Sequence, residues 1–577
     1  DSQTPRFMKV PGLNRETFVL TGILALPFAV RAFGVPFGLP DLYHADEPVV
    51  VNHALAYGTG DLHPRFFNIP PLVSYLLFFV YGIFYVAGRG AGFFRSTGDF
   101  ERLFYADPTL FYLLARGTFG VLLGTLSVYL LYRLVKRFWN AEKAVLAALL
   151  LAVNFLHARD SHYVYVDIPL LAVLLGGFYV IARLGEAPLE PKRHLACGGM
   201  IGLAVATKYN GVFLALPYLW ICFRTVPRSN WLGGWGTAAG AAVAVFAALN
   251  PFAFLDPKFF LQELAEQSAA NSGGLPFFHH LTYSLAGAMG LVVLSLAAAG
   301  WVRAVFSRKP ASEAAAVFAL VYYLVLVQWG QPYDRYVLPL VPFLCLFAAD
   351  FLMSRKDELS VGKLSLTPVL WVLVIGVIAW PSVYRILRWD LLMAAPDTRT
   401  VARDWIEENV PDGSRIALDG TFFMPRLSFS PDQLKEKLAA LSPEDAQAGA
   451  RQRRLEALLA RDRKPSYHLY FMSSEPGTGA FLFSGPEVPY EVAALRGMGV
   501  DFVVITEGGY GAAPRLFLEA LHRTARPVAK FSPYRGAGDL GPYDPQPLTG
   551  GPFLAKDIRA RKRNGYPLTL YKLEDLA

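Results

Sequence analysis

The stretch Pro71-Leu72-Val73-Ser74-Tyr75-Leu76-Leu77-Phe78-Phe79-Val80-Tyr81-Gly82-Ile83-Phe84-Tyr85-Val86-Ala87-Gly88 is apolar enough to cross a bilayer by hydropathy alone. Whether it crosses decides the side on which every later loop lies. If it does not cross, alternate loops carrying Arg6, Lys9 and Arg15, then Arg133, Lys136, Arg137 and Lys143, then Arg183, Lys192 and Arg193, then Arg224 and Arg228, then Arg303, Arg308 and Lys309, then Arg355, Lys356 and Lys363 share one side. That is the pattern of cytoplasmic loops, which accumulate Lys and Arg. If 71–88 did cross, all but the first group would move outside. The stretch therefore reads as a helix lying at the outer interface, although Arg89, Arg95 and Arg102 then fall outside, against the pattern.

Further apolar stretches at 16–35, 109–132, 144–158, 168–182, 195–207, 210–223, 232–249, 282–302, 313–328, 336–352 and 366–384 suit helices that cross the membrane, about eleven in all. The sequence thus predicts a polytopic α-helical membrane protein, with the N-terminus inside and the C-terminus outside a bacterial-type cytoplasmic membrane. Composition agrees: of 577 residues, 54% are hydrophobic and only 17% charged. The net charge of +8 belongs to this loop asymmetry rather than to nucleic-acid binding. Cys197, Cys222 and Cys345 all lie in apolar runs, so no disulfide framework or zinc spacing is present. Residue 1 is not Met, and the first segment reads as a retained span rather than a cleaved signal.

After Tyr384 the character changes to charged, turn-rich sequence. We expect a transmembrane catalytic domain at 1–384, with a first outer loop at 36–108, and a soluble extracytoplasmic α/β domain at 385–577. In the latter, 398–409 reads as an amphipathic helix stopped by Pro411-Asp412-Gly413 and followed by a strand from Arg415 to Leu418. Ser430-Pro431 and Ser442-Pro443 read as helix starts. Phe502 to Ile505 and Leu568 to Tyr571 read as buried strands, and 533–556 as a long loop.

With this topology the unusual polar residues gather on the outer side. His44-Ala45-Asp46-Glu47-Pro48 follows the first span. Arg159, Asp160, His162 and Asp167 occupy the next outer turn, Lys208-Tyr209-Asn210 another, His279-His280 another and Asp334-Arg335-Tyr336 the last, while Arg116 sits within a span. Polar residues at such depth are costly and mark function more often than surface charges do. Plain alternatives exist for each: Asp46 and Glu47 as a solvated pair, Asp167 as a helix cap, Lys208 snorkelling to the interface, the histidines as interfacial side chains. Carboxylates and cations on one face suit a substrate that combines a phosphate with a greasy tail. For sugar transfer from such a lipid, a carboxylate can take the acceptor proton and cations can carry the departing phosphate charge.

Asp46-Glu47 after the first span, Pro70-Pro71-Leu72, the turn from Arg159 to Asp167, Ala206-Thr207-Lys208-Tyr209-Asn210-Gly211, and Asp334-Arg335-Tyr336 with Pro339 and Pro342 together resemble the GT-C superfamily. Within it they resemble bacterial relatives of protein O-mannosyltransferases and of the lipid A aminoarabinose transferase. The resemblance implies an inverting glycosyltransferase that moves a hexose or pentose from a polyprenyl-phosphate donor to a protein, lipid or glycan hydroxyl. It also implies roles: Asp46 as base with Glu47 beside it, Asp167 as the second acidic position, and Lys208, Arg335 and Arg116, with Tyr336 and Tyr209, around the lipid phosphate. Ile69 stands where many relatives carry Lys or Tyr. Metal dependence varies across the superfamily, and His279 or His280 with a carboxylate could supply ligands to a divalent metal; no other cofactor is implied. A lipid or glycan transporter or flippase, or a non-catalytic membrane subunit with an outer binding domain, remains as the alternative.

Overall fold

A computed structural model describes residues 15–355, 368–420, 424–441, 448–460, 465–473, 486–506, 513–535 and 555–574. The expected helix start at Ser442 and most of the loop 533–556 lie outside these residues. The chain forms two compact units: Asp1–Val35, Asn52–Phe78 and Ala115–Ile386 make the first, and Pro36–Val51, Phe79–Leu114 and Leu387–Ala577 the second.

The first unit is helical. Among the described residues of the whole chain, 7 helices are long and apolar enough to cross a membrane: Leu72–Gly90, Thr109–Phe138, Asp167–Leu184, Arg228–Leu249, His280–Val305, Asp334–Ser354 and Leu370–Asn409. The protein is an integral membrane protein. Thr17–Ala32 and Pro310–Leu326 are apolar but shorter. Leu72–Gly90, read from the loop charges as interfacial, meets the length and composition of a span.

Small residues let the helices of the first unit approach closely. Gly198 and Gly202, one turn apart in Pro191–Thr207, face the backbone of Ala238 and Ala242 in Trp231–Leu249, where a Cβ would overlap main-chain atoms. This is the small-xxx-small packing of membrane helices, which draws on dispersion rather than on water exclusion. Several helices open or close with tighter or wider turns, and these irregular segments carry polar residues: a π-helical turn at Arg116–Leu122, 3-10 turns at Tyr209–Leu214 and Asp334–Leu340, and a π-helical turn at His280–Leu285. Such breaks occur often at functional sites.

The second unit contains a six-stranded sheet. Its strands are β1 (Arg415–Asp419), β2 (His468–Met472), β3 (Glu487–Val488), β4 (Phe502–Thr506), β5 (Ala525–Phe531) and β6 (Leu568–Leu573), in the order β3-β2-β1-β4-β6-β5. β1 pairs in parallel with β2 and β4, while β6 is antiparallel to β4 and β5. Alternation along β1 supplies two cores: Ile416 and Leu418 join Ala402 and Ile406 on one face, and Ala417 joins Phe517 and Leu521 on the other. The helix Thr398–Asn409 is capped by Asp397, whose carboxylate accepts from the Arg399 N–H at 2.9 Å. It ends ahead of Gly413, whose φ of +82° suits glycine. Ser430 caps Pro431–Ala439 as its sequence predicts. In the segment from Phe79 to Leu114, Phe84, Phe94, Phe100 and Phe111 pack mostly edge to face, and Ser96 with Asp99 forms a capping box at the start of Thr97–Ala106.

Candidate active site

In the first unit the polar residues singled out from the sequence converge. Asp167 opens the helix Asp167–Leu184 and is buried, and its Oδ1 accepts from Lys208 Nζ at 2.5 Å. Lys208 terminates Pro191–Thr207, so the chain turns there and aims the ammonium back at the start of its neighbour. The same ammonium lies 5.2 Å from the centre of the Tyr336 ring, within cation–π range. Asn210 Nδ2 donates to the Tyr322 hydroxyl at 2.8 Å, which donates in turn to the Tyr336 carbonyl at 3.0 Å. These bonds fix the 3-10 turn of Tyr209–Leu214 against that of Asp334–Leu340. Tyr209 itself reaches elsewhere, donating to the Phe67 carbonyl at 2.8 Å.

A second ion-pair group adjoins the first. Arg159 is almost fully buried and donates to both oxygens of Asp334, at 2.6 and 3.0 Å, and to Asp160 at 2.9 Å. Arg335 stacks between Tyr165 and Tyr333, its Cζ 5.0 and 4.9 Å from the ring centres. Burial pushes the Asp160 carboxyl up to about 7; the charge of Arg159 opposes this, the carboxylates of Asp334 and Asp167 add to it, and Arg335 opposes it. Three cations (Lys208, Arg159 and Arg335) thus face three carboxyls (Asp167, Asp334 and Asp160), of which burial shifts Asp160 toward its protonated form.

Two buried acceptors of this group, Asp167 Oδ2 and Asn210 Oδ1, have no hydrogen-bond partner among the described residues. Buried polar atoms are rarely left so, and an incoming donor such as a hydroxyl would satisfy them.

The other expected residues stand as follows. Asp46 and Glu47 belong to the second unit; Asp46 is half-buried, its N–H donating to His44 Nδ1 at 3.3 Å, and Glu47 is buried at the start of the helix Glu47–Ala56. Arg116 is fully buried and gives one donor to the Val35 carbonyl at 2.5 Å. Its charge adds to the lowering of the His162 pKa. His279 and His280, the expected metal pair, stand with ring centroids 5.1 Å apart. His280 Nδ1 is engaged with Ser284 Oγ at 2.9 Å, and among the described residues no group of three or more His, Cys, Asp or Glu is gathered to hold an ion.

Sequence reasoning missed the partners. Arg159 and Asp334 were noticed as members of separate turns, but their ion pair spans 175 positions. Tyr322, beside Asn210, sits in apolar sequence that carries no signal, and Tyr165, beside Arg335, lies within the turn from Arg159 to Asp167 without being marked by it.

The sequence model of the family described as dolichyl-phosphate-mannose-protein mannosyltransferase matches residues 115–254. No curated protein matches the sequence. Among solved structures, the chain is similar to ArnT from Cupriavidus metallidurans bound to undecaprenyl phosphate, with 13% identity, a TM-score of 0.51, and coverage of 97% of this chain and 98% of that one. The apo state of the same protein gives a TM-score of 0.50 at 13% identity, with the same coverage. The archaeal oligosaccharyltransferase AglB from Archaeoglobus fulgidus, in complex with an inhibitory peptide and a dolichol-phosphate, gives 0.45 at 11% identity over 85% of this chain and 70% of that one. The fold is thus similar to that of ArnT, and residues 115–254 are similar in sequence to the family described as dolichyl-phosphate-mannose-protein mannosyltransferase.

Proposed function

We propose that the protein is an inverting glycosyltransferase that takes a sugar from a polyprenyl-phosphate donor and attaches it to a hydroxyl of a protein, lipid or glycan. In this reading about eleven segments span the membrane, the N-terminus is inside, and residues 385–577 form the extracytoplasmic domain. The observation that supports it most is the gathering of Lys208, Arg159 and Arg335 in one group beside Asp167 and Asp334, because cations within reach of a departing lipid phosphate stabilise the charge it takes. ArnT from Cupriavidus metallidurans, similar in fold, binds undecaprenyl phosphate, which fits the same donor class.

The roles divide by chemistry. The bond between the sugar's anomeric carbon and the phosphate oxygen breaks, and one to the acceptor oxygen forms on the opposite face. Asp46 takes the acceptor proton, with Glu47 beside it in sequence. Lys208 and Arg335 balance the phosphate, held in direction by Asp167 and by the rings of Tyr336, Tyr165 and Tyr333. Asp167 Oδ2 and Asn210 Oδ1 accept sugar hydroxyls. Phosphate is a weakly basic leaving group, so no second carboxylic acid is needed, unlike the paired carboxylates of glycoside hydrolases.

The test uses purified protein in lipid nanodiscs, a panel of undecaprenyl-phosphate hexoses and pentoses, membrane extract as acceptor, and release of undecaprenyl phosphate as readout. Asp46→Asn should cut release by about 100-fold or more, the usual contribution of a general base, while binding of the donor persists. Unchanged release, or no member of the panel turned over by the wild type, contradicts the reading.

A further inference from the structure

The segment that carries Asp46 is tied to the first helix of the C-terminal domain by a set of contacts inside the second unit. Tyr43 lies three positions before Asp46. Its buried ring sits 3.8 Å from the Arg399 guanidinium carbon, and its hydroxyl lies 2.9 Å from Thr400 Oγ1 and donates to Asp41 Oδ2 at 3.1 Å. Arg399 is itself fixed, because its Nε and Nη2 donate to the two oxygens of Asp397 at 2.8 and 2.9 Å, a fork that a rotated side chain would lose. One turn along the helix, Arg403 Nη1 donates to both oxygens of Asp41, at 2.9 and 2.7 Å. Thr398, at the helix start, is anchored to the neighbourhood of β6: its N–H donates to the Asn564 carbonyl at 3.0 Å and its hydroxyl to the Tyr566 carbonyl at 2.7 Å. The grip on the loop therefore comes from a helix that the sheet holds.

Between the two gripped residues stands Leu42, with φ at +60°, where a branched side chain is rarely found. Such a conformation persists when its surroundings over-determine it, and it clusters at functional sites. Gly38 turns the chain in the same region with φ at +65°, and its Cα faces the Tyr43 side chain, where a Cβ would stand 3.1 Å from that of Tyr43. Three residues of chain span at most about 10 Å, so fixing Tyr43 confines Asp46 to a short arc.

We infer that Thr398–Asn409 is a positioning element for Asp46, acting through the Asp41–Arg403 ion pair and the Tyr43–Arg399 stack. This rests on the assignment of Asp46 as the base. Neither pair touches substrate; each sets where the carboxylate stands. A displacement of about 1 Å in such a group costs on the order of 100-fold in rate, whereas a stitch that only joins loop to domain would alter stability and leave chemistry alone.

The experiment compares kcat, KM for the undecaprenyl-phosphate donor and thermal midpoint for the full-length protein in nanodiscs. Arg403→Ala should lower kcat by about 10- to 100-fold with KM within twofold. The exchange Asp41→Arg with Arg403→Asp should recover part of that loss, and Arg403→Lys, which keeps the charge but loses the guanidinium's second anchor on Asp404, should fall between. In an Asp46→Asn background Arg403→Ala should cost nothing further, because the group being positioned is already gone. Wild-type kcat in Arg403→Ala with Asp46→Asn inactive overturns the positioning role and leaves the base intact, as does a lowered midpoint with no change in kcat. An equal loss in both backgrounds overturns it too. An active Asp46→Asn instead removes the base assignment on which the role rests.

Discussion

Asp160 shows how one side chain sets the electrostatics of its neighbours. Its raised pKa means that the folded protein keeps a proton that the unfolded chain releases in the ordinary carboxylate range. Where the folded state binds more protons, stability falls as pH rises, so Asp160 favours folding below that range and the advantage is lost as pH climbs toward about 7. His162 in the same turn acts with the opposite sign, since burial lowers it to about 4 and folding is penalised at lower pH. The difference between wild type and Asp160→Asn isolates the carboxyl. The thermal midpoint in detergent, measured from pH 5 to pH 8, should decline with pH relative to the variant, and a constant difference would contradict the assignment. Of these residues the sequence exposed the identities through their polarity in apolar surroundings. It did not expose that Arg159 binds Asp334, because nothing in one chain marks a partner 175 positions away.

At the scale of elements, periodicity and end signals were readable where local chemistry decides. The helix Thr398–Asn409, the strand at Arg415, the cap at Ser430 and the buried strands β4 and β6 stand where their sequences put them. Breaks within apolar stretches were not readable: the turns at Arg116–Leu122 and His280–Leu285 depend on tertiary contacts, and hydropathy averages over them. Close helix packing was also hidden, although Gly198 and Gly202 sit four apart. Gly202→Leu should lower the thermal midpoint, because overpacking costs about 1–3 kcal/mol and the backbone of Ala242 leaves no room. Gly240→Ala on the neighbouring helix, with no atom within 4 Å of the added carbon, should leave the midpoint unchanged or raise it. Equal effects of the two would contradict the packing account.

For the whole molecule, composition and hydropathy made the membrane class legible, and long apolar runs cease after Tyr384. The structure divides the chain less simply, since Pro36–Val51 and Phe79–Leu114 join the C-terminal residues in one compact unit. Long-range side-chain bonds such as Arg403 to Asp41 and Arg453 to Glu101 make that union, and they leave no periodic trace. The functional account rests on a cluster in the first unit whose cations suit a phosphate and whose open acceptors suit a sugar. Mass spectrometry of lipid copurifying with the wild-type protein tests this most directly. A polyprenyl phosphate or its sugar conjugate should be recovered and should be depleted in Lys208→Gln; recovery of bulk phospholipid alone from the wild type would contradict the account.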